Sequence, residues 1–331
     1  MALTEASANA LSASLAPGLP VFSGQTRLLV VAPHPDDETI ATGLLIQQVK
    51  AAGGEVRILL LTAGDNNPWP QRWLERRVRI RDADRQRWGR RRHAEMLQAL
   101  QQLGLPVAAL ESMGWPDMGL TDCLLQSGHK QSGDKAVPAL AATISRFQPS
   151  LVVLPSLDDR HPDHGAAHVL VRLALAGQAH QPQLLAYLVH GHAQDAGFID
   201  IDGSLEQTVN KQVALAEHGS QMALSGGRMR ALAGRPERYT RVVARSSSVL
   251  PWRPPVWMRP WLRLSLVSTG GMQSWSWRDA PLQRDRRGGY RLLPTAEISG
   301  QLQFVRLAST LPSPWIFDHW GWCELPGHPP R

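Results

Sequence analysis

The stretch RLLVVAPHPDDETIATGLLIQQVKAAGG, residues 27–54, decides the fold. Its first seven residues are an apolar run that stops at a proline, the pattern of a strand buried on both faces of a parallel sheet. After Glu38 the apolar residues recur at helical spacing and end on Gly53 and Gly54, a helix stop. Working outward, the alternation continues. VRILLLT (56–62) reads as a second buried strand, RRHAEMLQALQQLG (91–104) as a helix and VAALESMGW (107–115) as a third strand, with a Gly-rich loop running on to about Asp134. Lys135–Phe147 reads as a helix, SLVVLP (150–155) as the fourth strand and GAAHVLVRLALAG (165–177) as the next helix. QLLAYLVHG (183–191) is a further strand, and SLEQTVNKQVALAEHGSQM (204–222) one long helix. Strands alternating with helices at this spacing predict an α/β fold: a Rossmann-like, doubly wound, mostly parallel sheet in three α/β/α layers.

Beyond about Leu250 the texture changes. Eight of the twelve tryptophans fall between Trp252 and Trp322, and LRLSLVS, GYRLLP and GQLQFVRLA read as short strands. The expected organisation is a loose lead-in over 1–26, an α/β domain over 27–245 and a β-rich C-terminal appendage over 246–331. The tryptophans there fill a core or, alternatively, form a platform on which sugar rings stack.

Composition narrows the class of protein. A chain of 331 residues with 43% hydrophobic and 19% charged residues buries a large core. Cys123 and Cys323 are far apart and form no CxxC pattern, which points to a reducing, cytoplasmic compartment. The first residues lack the basic and apolar regions of a signal peptide, and no stretch is apolar enough to span a bilayer. The net charge of +7 is concentrated: ten arginines lie from Arg72 to Arg92, against only Glu75, Asp82 and Asp84. Such a run is either a solvated helix face or a surface for nucleic acid, anionic lipid or a phosphorylated substrate.

Two polar clusters carry the chemistry. His34-Pro35-Asp36-Asp37-Glu38 follows the first strand, and Asp158-Asp159-Arg160-His161-Pro162-Asp163-His164 follows the fourth. In a sheet ordered 3-2-1-4-5 these strands are neighbours, and the crevice outside their carboxyl ends is where such folds bind ligands. The two clusters are therefore expected to meet. Imidazoles and carboxylates together suit Zn²⁺, and three protein donors with an open position define a catalytic site. His34 and Asp37, three apart where strand becomes helix, reach one ion, and His164 completes the set. Asp36 is the candidate base for a metal-bound water, His161 the candidate oxyanion partner or acid, and Asp163 a carboxylate that orients an imidazole. His168, four residues after His164, is a candidate fourth donor or a supporting group.

At these residues the chain resembles the PIG-L or LmbE-like N-acetylglucosaminyl deacetylases. The resemblance covers roughly residues 27–245 and rests on PHPDDE, RRHAEM, GWPDMGL, RHPDH and KQVALAEHGSQM. It implies zinc on His34, Asp37 and His164, Asp36 as general base and His161 as its electrostatic or general-acid partner. It also implies that Arg92 and Asp117 contact the sugar or its anionic substituent, with Arg160 facing the same pocket. Some members carry a tyrosine two residues before the second-cluster histidine; here that position is Asp159.

The expected function is zinc-dependent hydrolysis of the acetamide of an anionic or lipid-linked N-acetylglucosamine substrate, with Fe²⁺ or Co²⁺ as alternative metals. The partner is a small-molecule or glycolipid amino sugar rather than a specific nucleic acid, with peripheral membrane contact and homo-oligomerisation left open. Three rivals differ in class. A zinc amidase or esterase on a non-sugar substrate needs the same site. A Rossmann nucleotide-binding protein would need a GxGxxG turn where HPDDE stands. A nucleic-acid-binding protein would use residues 72–92.

Overall fold

The computed structural model describes residues 19–127, 136–191, 197–244, 247–293, 302–311 and 316–326. Most of the expected lead-in and the end of the Gly-rich loop (128–135) lie outside the described residues. The strand opening the quoted stretch, β1 (Arg27–Ala32), is buried beyond its first residue because neighbours hydrogen-bond it on both sides. Leu28 is in register with Val56 of β2 (Glu55–Thr62) and with Leu151 of β4 (Leu151–Pro155), both parallel. With β3 (Leu110–Trp115), β5 (Gln183–Tyr187), β6 (Ile199–Ile201) and β7 (Glu237–Arg241), the sheet runs β3-β2-β1-β4-β5-β7-β6. Its five leading strands are parallel, and β7 and β6 close the edge antiparallel. The doubly wound, mostly parallel sheet and the order 3-2-1-4-5 are as expected, and the chain reverses between β1 and β4.

Helices α1 (Asp37–Ala51), α2 (Pro68–Glu75), α3 (Asp82–Gln102), α4 (Leu120–Ser127), α5 (Ala136–Phe147), α6 (Pro162–Ala176), α7 (Leu205–Glu217) and α8 (Gly219–Ala233) cover the sheet. Helix α2 has no counterpart in the sequence reading, and three others differ from it. Helix α4 occupies part of the expected Gly-rich loop, because Leu120, Cys123 and Leu124 recur at helical spacing and are buried. Helix α3 begins at Asp82, well before the RRHAEM segment. The expected single helix over 204–222 is two helices that break at His218, whose buried ring turns inward to Glu38.

Helix α1 carries a local opening. The Glu237 carboxylate accepts from the backbone N–H of Leu44 at 2.7 Å and of Leu45 at 3.0 Å, while the Tyr239 hydroxyl donates to the Ala41 carbonyl. Side chains inserted into a helical ladder are a recognised cause of bending. Lys211 Nζ completes the cluster 2.6 Å from Glu237.

The C-terminal region forms a four-stranded antiparallel sheet, β10-β9-β13-β14, and a three-stranded one, β11-β12-β8. Their strands are β8 (Val249–Leu250), β9 (Leu262–Ser268), β10 (Gly271–Ser276), β11 (Leu282–Arg284), β12 (Tyr290–Leu292), β13 (Gln303–Ser309) and β14 (Gly321–Leu325). The larger sheet packs on α6: Val267, Phe304 and Trp322 share one core with Ala166, Val169 and Leu170. Gly165 permits the approach, since a Cβ there would fall 2.8 Å from Trp322 Cδ1. Arg172 on α6 and Glu324 on β14 form a forked ion pair at 2.9 and 3.1 Å. Trp252, Trp277 and Trp322 are buried in these cores, whereas Trp257 lies exposed.

Candidate metal centre

The loop after β1 and the loop after β4 meet, as their strand order requires. Asp37 opens α1, and its Oδ2 accepts the backbone N–H of His34 at 3.0 Å. That oxygen lies 3.4 Å from His34 Nδ1 and 3.3 Å from His164 Nε2. Donors about 2.0–2.1 Å from one tetrahedral ion stand roughly 3.4 Å from each other. Asp37 Oδ2 is thus spaced from each imidazole as two donors of one ion are. Among the described residues the donor sets lying within 4.8 Å of one another are His34 with His161 and His164, Asp37 with His164 and His190, and His34 with Asp117 and Asp163.

The remaining ring nitrogens are held by carboxylates. His34 Nε2 lies 3.2 Å from Asp117 Oδ1 and 3.3 Å from Asp163 Oδ2. Asp163 also accepts the backbone N–H groups of Met118 and Leu120, so the GWPDMGL turn is tied to the second cluster. His164 Nδ1 faces Asp159 Oδ2 at 3.1 Å. A carboxylate behind each imidazole fixes the ring and leaves the other nitrogen for metal. Burial opposes charge on His34, yet Asp117, Asp163 and Asp37 outweigh it and hold the ring well above its ordinary pKa. For His164, burial is outweighed by Asp159 and Asp37, and its pKa is pushed up to about 10. Both rings thus sit where positive charge is favoured. His164 is fully buried, and neither of its nitrogens makes a well-formed hydrogen bond among the described residues. With Nδ1 backed by Asp159, the His164 Nε2 that faces Asp37 without a well-formed hydrogen bond fits a cation in the gap.

His161 caps α6, its Nδ1 accepting the backbone N–H of Asp163 at 3.3 Å, with Pro162 at the first helical position. An imidazole that accepts at Nδ1 carries its proton on Nε2. Burial and the neighbouring His34, His164 and His190 hold its pKa well below the ordinary value. In that neutral form His161 would present its Nε2–H as a donor. Asp36 has φ 116°, a region costly for a residue with a Cβ. Its backbone N–H donates to Glu38 Oε2 at 3.0 Å, and Glu38 is buried against His218 at 3.1 Å. Burial raises the Asp36 carboxyl to about 6, although Arg92 opposes the shift from 3.1 Å.

The residues expected to meet substrate are placed differently from one another. Arg92 is buried; it donates to the carbonyls of Gly64 and Pro35 and faces Asp36. Asp117 is occupied by His34 and by the backbone N–H of Asn66. Arg160 is exposed beside the cleft. His168 Nδ1 lies 2.9 Å from the Pro155 carbonyl.

Three groups near the centre were given no role from the sequence. Asp159 accepts the N–H groups of His161, Val189 and His190 as well as facing His164. His190, just after β5, offers a donor atom within 4.8 Å of donors on Asp37 and His164. Its Nδ1 lies 3.1 Å from Arg228 Nη2. Phe317 arrives from the C-terminal region, its ring centroid 5.3 Å from that of His190 and 6.4 Å from that of His161. Its neighbour Asp318 donates its N–H to the Arg160 carbonyl at 2.7 Å and pairs with Arg306. A histidine closing a strand was the available signal for His190; nothing local marks Phe317.

Residues 29–175 match the family model PIG-L, described as GlcNAc-PI de-N-acetylase. A 1D-myo-inositol 2-acetamido-2-deoxy-alpha-D-glucopyranoside deacetylase of Mycolicibacterium smegmatis is 34% identical over 157 residues, covering 45% of this chain and 53% of that protein. The enzyme of the same name from Mycobacteroides abscessus is 31% identical over 171 residues, covering 49% and 60%. The chain thus spans little more than half the length of these relatives. Among solved structures, a triple mutant of a deacetylase from the teicoplanin biosynthetic pathway superposes with a TM-score of 0.51 at 21% identity. It covers 67% of this chain and 100% of that one, and what it shares is the fold. His34, Asp37, His161 and His164 fall inside the segment 29–175 that is similar to the PIG-L family model, and His190 lies beyond it.

Proposed function

We propose that this chain is a zinc-dependent N-deacetylase that hydrolyses the acetamide of an N-acetylglucosamine-containing substrate to the free amine and acetate. The observation that carries the reading is the single Asp37 oxygen placed 3.4 and 3.3 Å from His34 and His164, with the strained Asp36 beside it. His34, Asp37 and His164 would hold the zinc. When bound, it supplies Lewis acidity and a water that ionises near neutral pH. Asp36, poised at about 6, would take the proton of the water that attacks the amide carbon. His161 donates its Nε2–H to the oxyanion that forms. As the C–N bond breaks, the proton held by Asp36 passes to the departing amine. Asp163, Asp117 and Asp159 orient the two imidazoles. Arg92 acts through Asp36 by fixing the loop that strains it. Arg160, exposed at the rim, is placed to meet an anionic or lipid-linked substituent. The names of the relatives favour an inositol-linked amino sugar as the first candidate.

The test is acetate release from free, nucleotide-linked, inositol-linked and lipid-linked N-acetylglucosamine, using chelated protein, zinc-restored protein and Asp36→Asn. Zinc-restored turnover that Asp36→Asn lowers by about 10²–10⁴-fold, with zinc still bound, is expected. Stoichiometric zinc without release from any sugar would redirect the site to other amides or esters.

A further inference from the structure

Helix α2 and the turn after it expose what a folded protein ordinarily hides. Trp69 and Trp73, one helical turn apart, are each 67% exposed, and Val78 is 89% exposed with Leu74 beside them. The element is nevertheless anchored: Pro70 and Gln71 are buried, and Gln71 Nε2 donates to the Asp84 carbonyl at 2.7 Å. The tryptophans point outward from a fixed base. Clustered apolar exposure of this kind marks a surface that meets something.

Its charge indicates what. Arg72 lies over the Trp69 ring at 5.1 Å. Arg77 and Arg87 are engaged by Asp84 and Glu75. Arg76, Arg79, Arg81 and Arg90 are exposed and form no ion pair among the described residues. We propose that residues 68–81 dock the protein on an anionic membrane surface, with Trp69, Trp73, Leu74 and Val78 entering the headgroup–acyl boundary and the arginines meeting lipid phosphates. Tryptophan suits that boundary through its apolar body and polar N–H. Basic residues near an anionic leaflet each add attraction that salt screens. Single-stranded nucleic acid would reward stacking on the tryptophans but not the exposed aliphatic Leu74 and Val78. The element also hangs from the loop carrying Asn66, whose N–H donates to Asp117 at 2.6 Å, so a docked face would adjoin the metal cleft. The proposal stands independently of the reaction catalysed there.

The experiment is flotation of the full chain with vesicles of phosphatidylcholine alone and of phosphatidylcholine with phosphatidylglycerol in equal parts, at low and high salt. Binding to the mixed vesicles that weakens with salt is expected. Trp69→Ala with Trp73→Ala should weaken it by at least about tenfold, and Arg76→Glu with Arg79→Glu by at least as much. Val78→Ser, beyond the helix, gives a smaller loss should the double variants fold poorly by circular dichroism. No binding to mixed vesicles, or binding that the tryptophan pair does not move, overturns the proposal. Salt-sensitive binding of an oligonucleotide in place of vesicles, lost with the same arginines, overturns it in favour of nucleic acid.

Discussion

The α/β body and the C-terminal sheet are each held by a buried ion pair, and the two pairs do different work. Lys211 and Glu237 lie inside the body with side chains 1% exposed, and Glu237 also receives two N–H groups of α1. Arg172 and Glu324 join the two regions, 12% and 5% exposed, with Arg172 about two turns beyond His164 on α6. The first pair shapes the helix that begins at Asp37. The second clamps a sheet onto the helix that begins just before His164, and that sheet's neighbouring chain sends Phe317 to the cleft. The cluster of His34, Asp37 and His164 is thus built from one region and walled by another.

Removing one partner from each pair separates the roles, and the inner one is expected to matter more. Glu237→Ala strands Lys211 and frees the opened turn of α1, a loss of about 3–5 kcal/mol. Chemical denaturation measures it, and a loss below about 1 kcal/mol would show that water repairs the site. Glu324→Ala leaves Arg172 closer to solvent, so about 1–3 kcal/mol is expected. Its distinctive result is functional: zinc content stays at wild type while turnover falls, because the sheet carrying Phe317 loosens. Equal loss of zinc and turnover would mean that the clamp supports α6 itself.

Asp159 tests the body from the other side. Asp159→Asn keeps the shape but weakens the hold on His164, and zinc affinity should fall about 10–100-fold in a chelator competition. An unchanged affinity would remove Asp159 from the support of the centre. Phe317→Ala should leave zinc affinity alone and change KM more than kcat, as loss of a wall does.

What was readable in the sequence follows from how locally each feature is determined. The sheet order and the meeting of His34, Asp37, His161 and His164 were legible because short apolar runs end in polar clusters, and topology alone brings strands one and four together. The break at His218 was hidden, since apolar spacing continues across it and only the partner Glu38, far away in the chain, explains the turn. Helix α4 was masked by flanking glycines. The substrate contact of Arg92 is implied by the resemblance rather than by any local pattern, and its buried side chain is engaged by Gly64, Pro35 and Asp36. His190 and Phe317 depend on packing between regions, which no local pattern encodes.

The smallest expected effect concerns that same His218. Burial disfavours its charged form, but Glu38 at 3.1 Å outweighs burial and raises its pKa above the ordinary value. A group raised on folding stabilises the native state fully below its unfolded pKa, about 6.5, and loses that contribution as pH climbs through the folded value. Wild type should therefore exceed His218→Gln in stability most clearly below about pH 6, with the gap narrowing as pH rises. Glutamine keeps a donor for Glu38 without the charge, so the difference isolates the ion pair. Paired urea titrations across the pH range measure it. A gap that stays constant would mean that His218 serves as a neutral wedge between α7 and α8, and that the strained Asp36 is held through the shape of this junction rather than its charge.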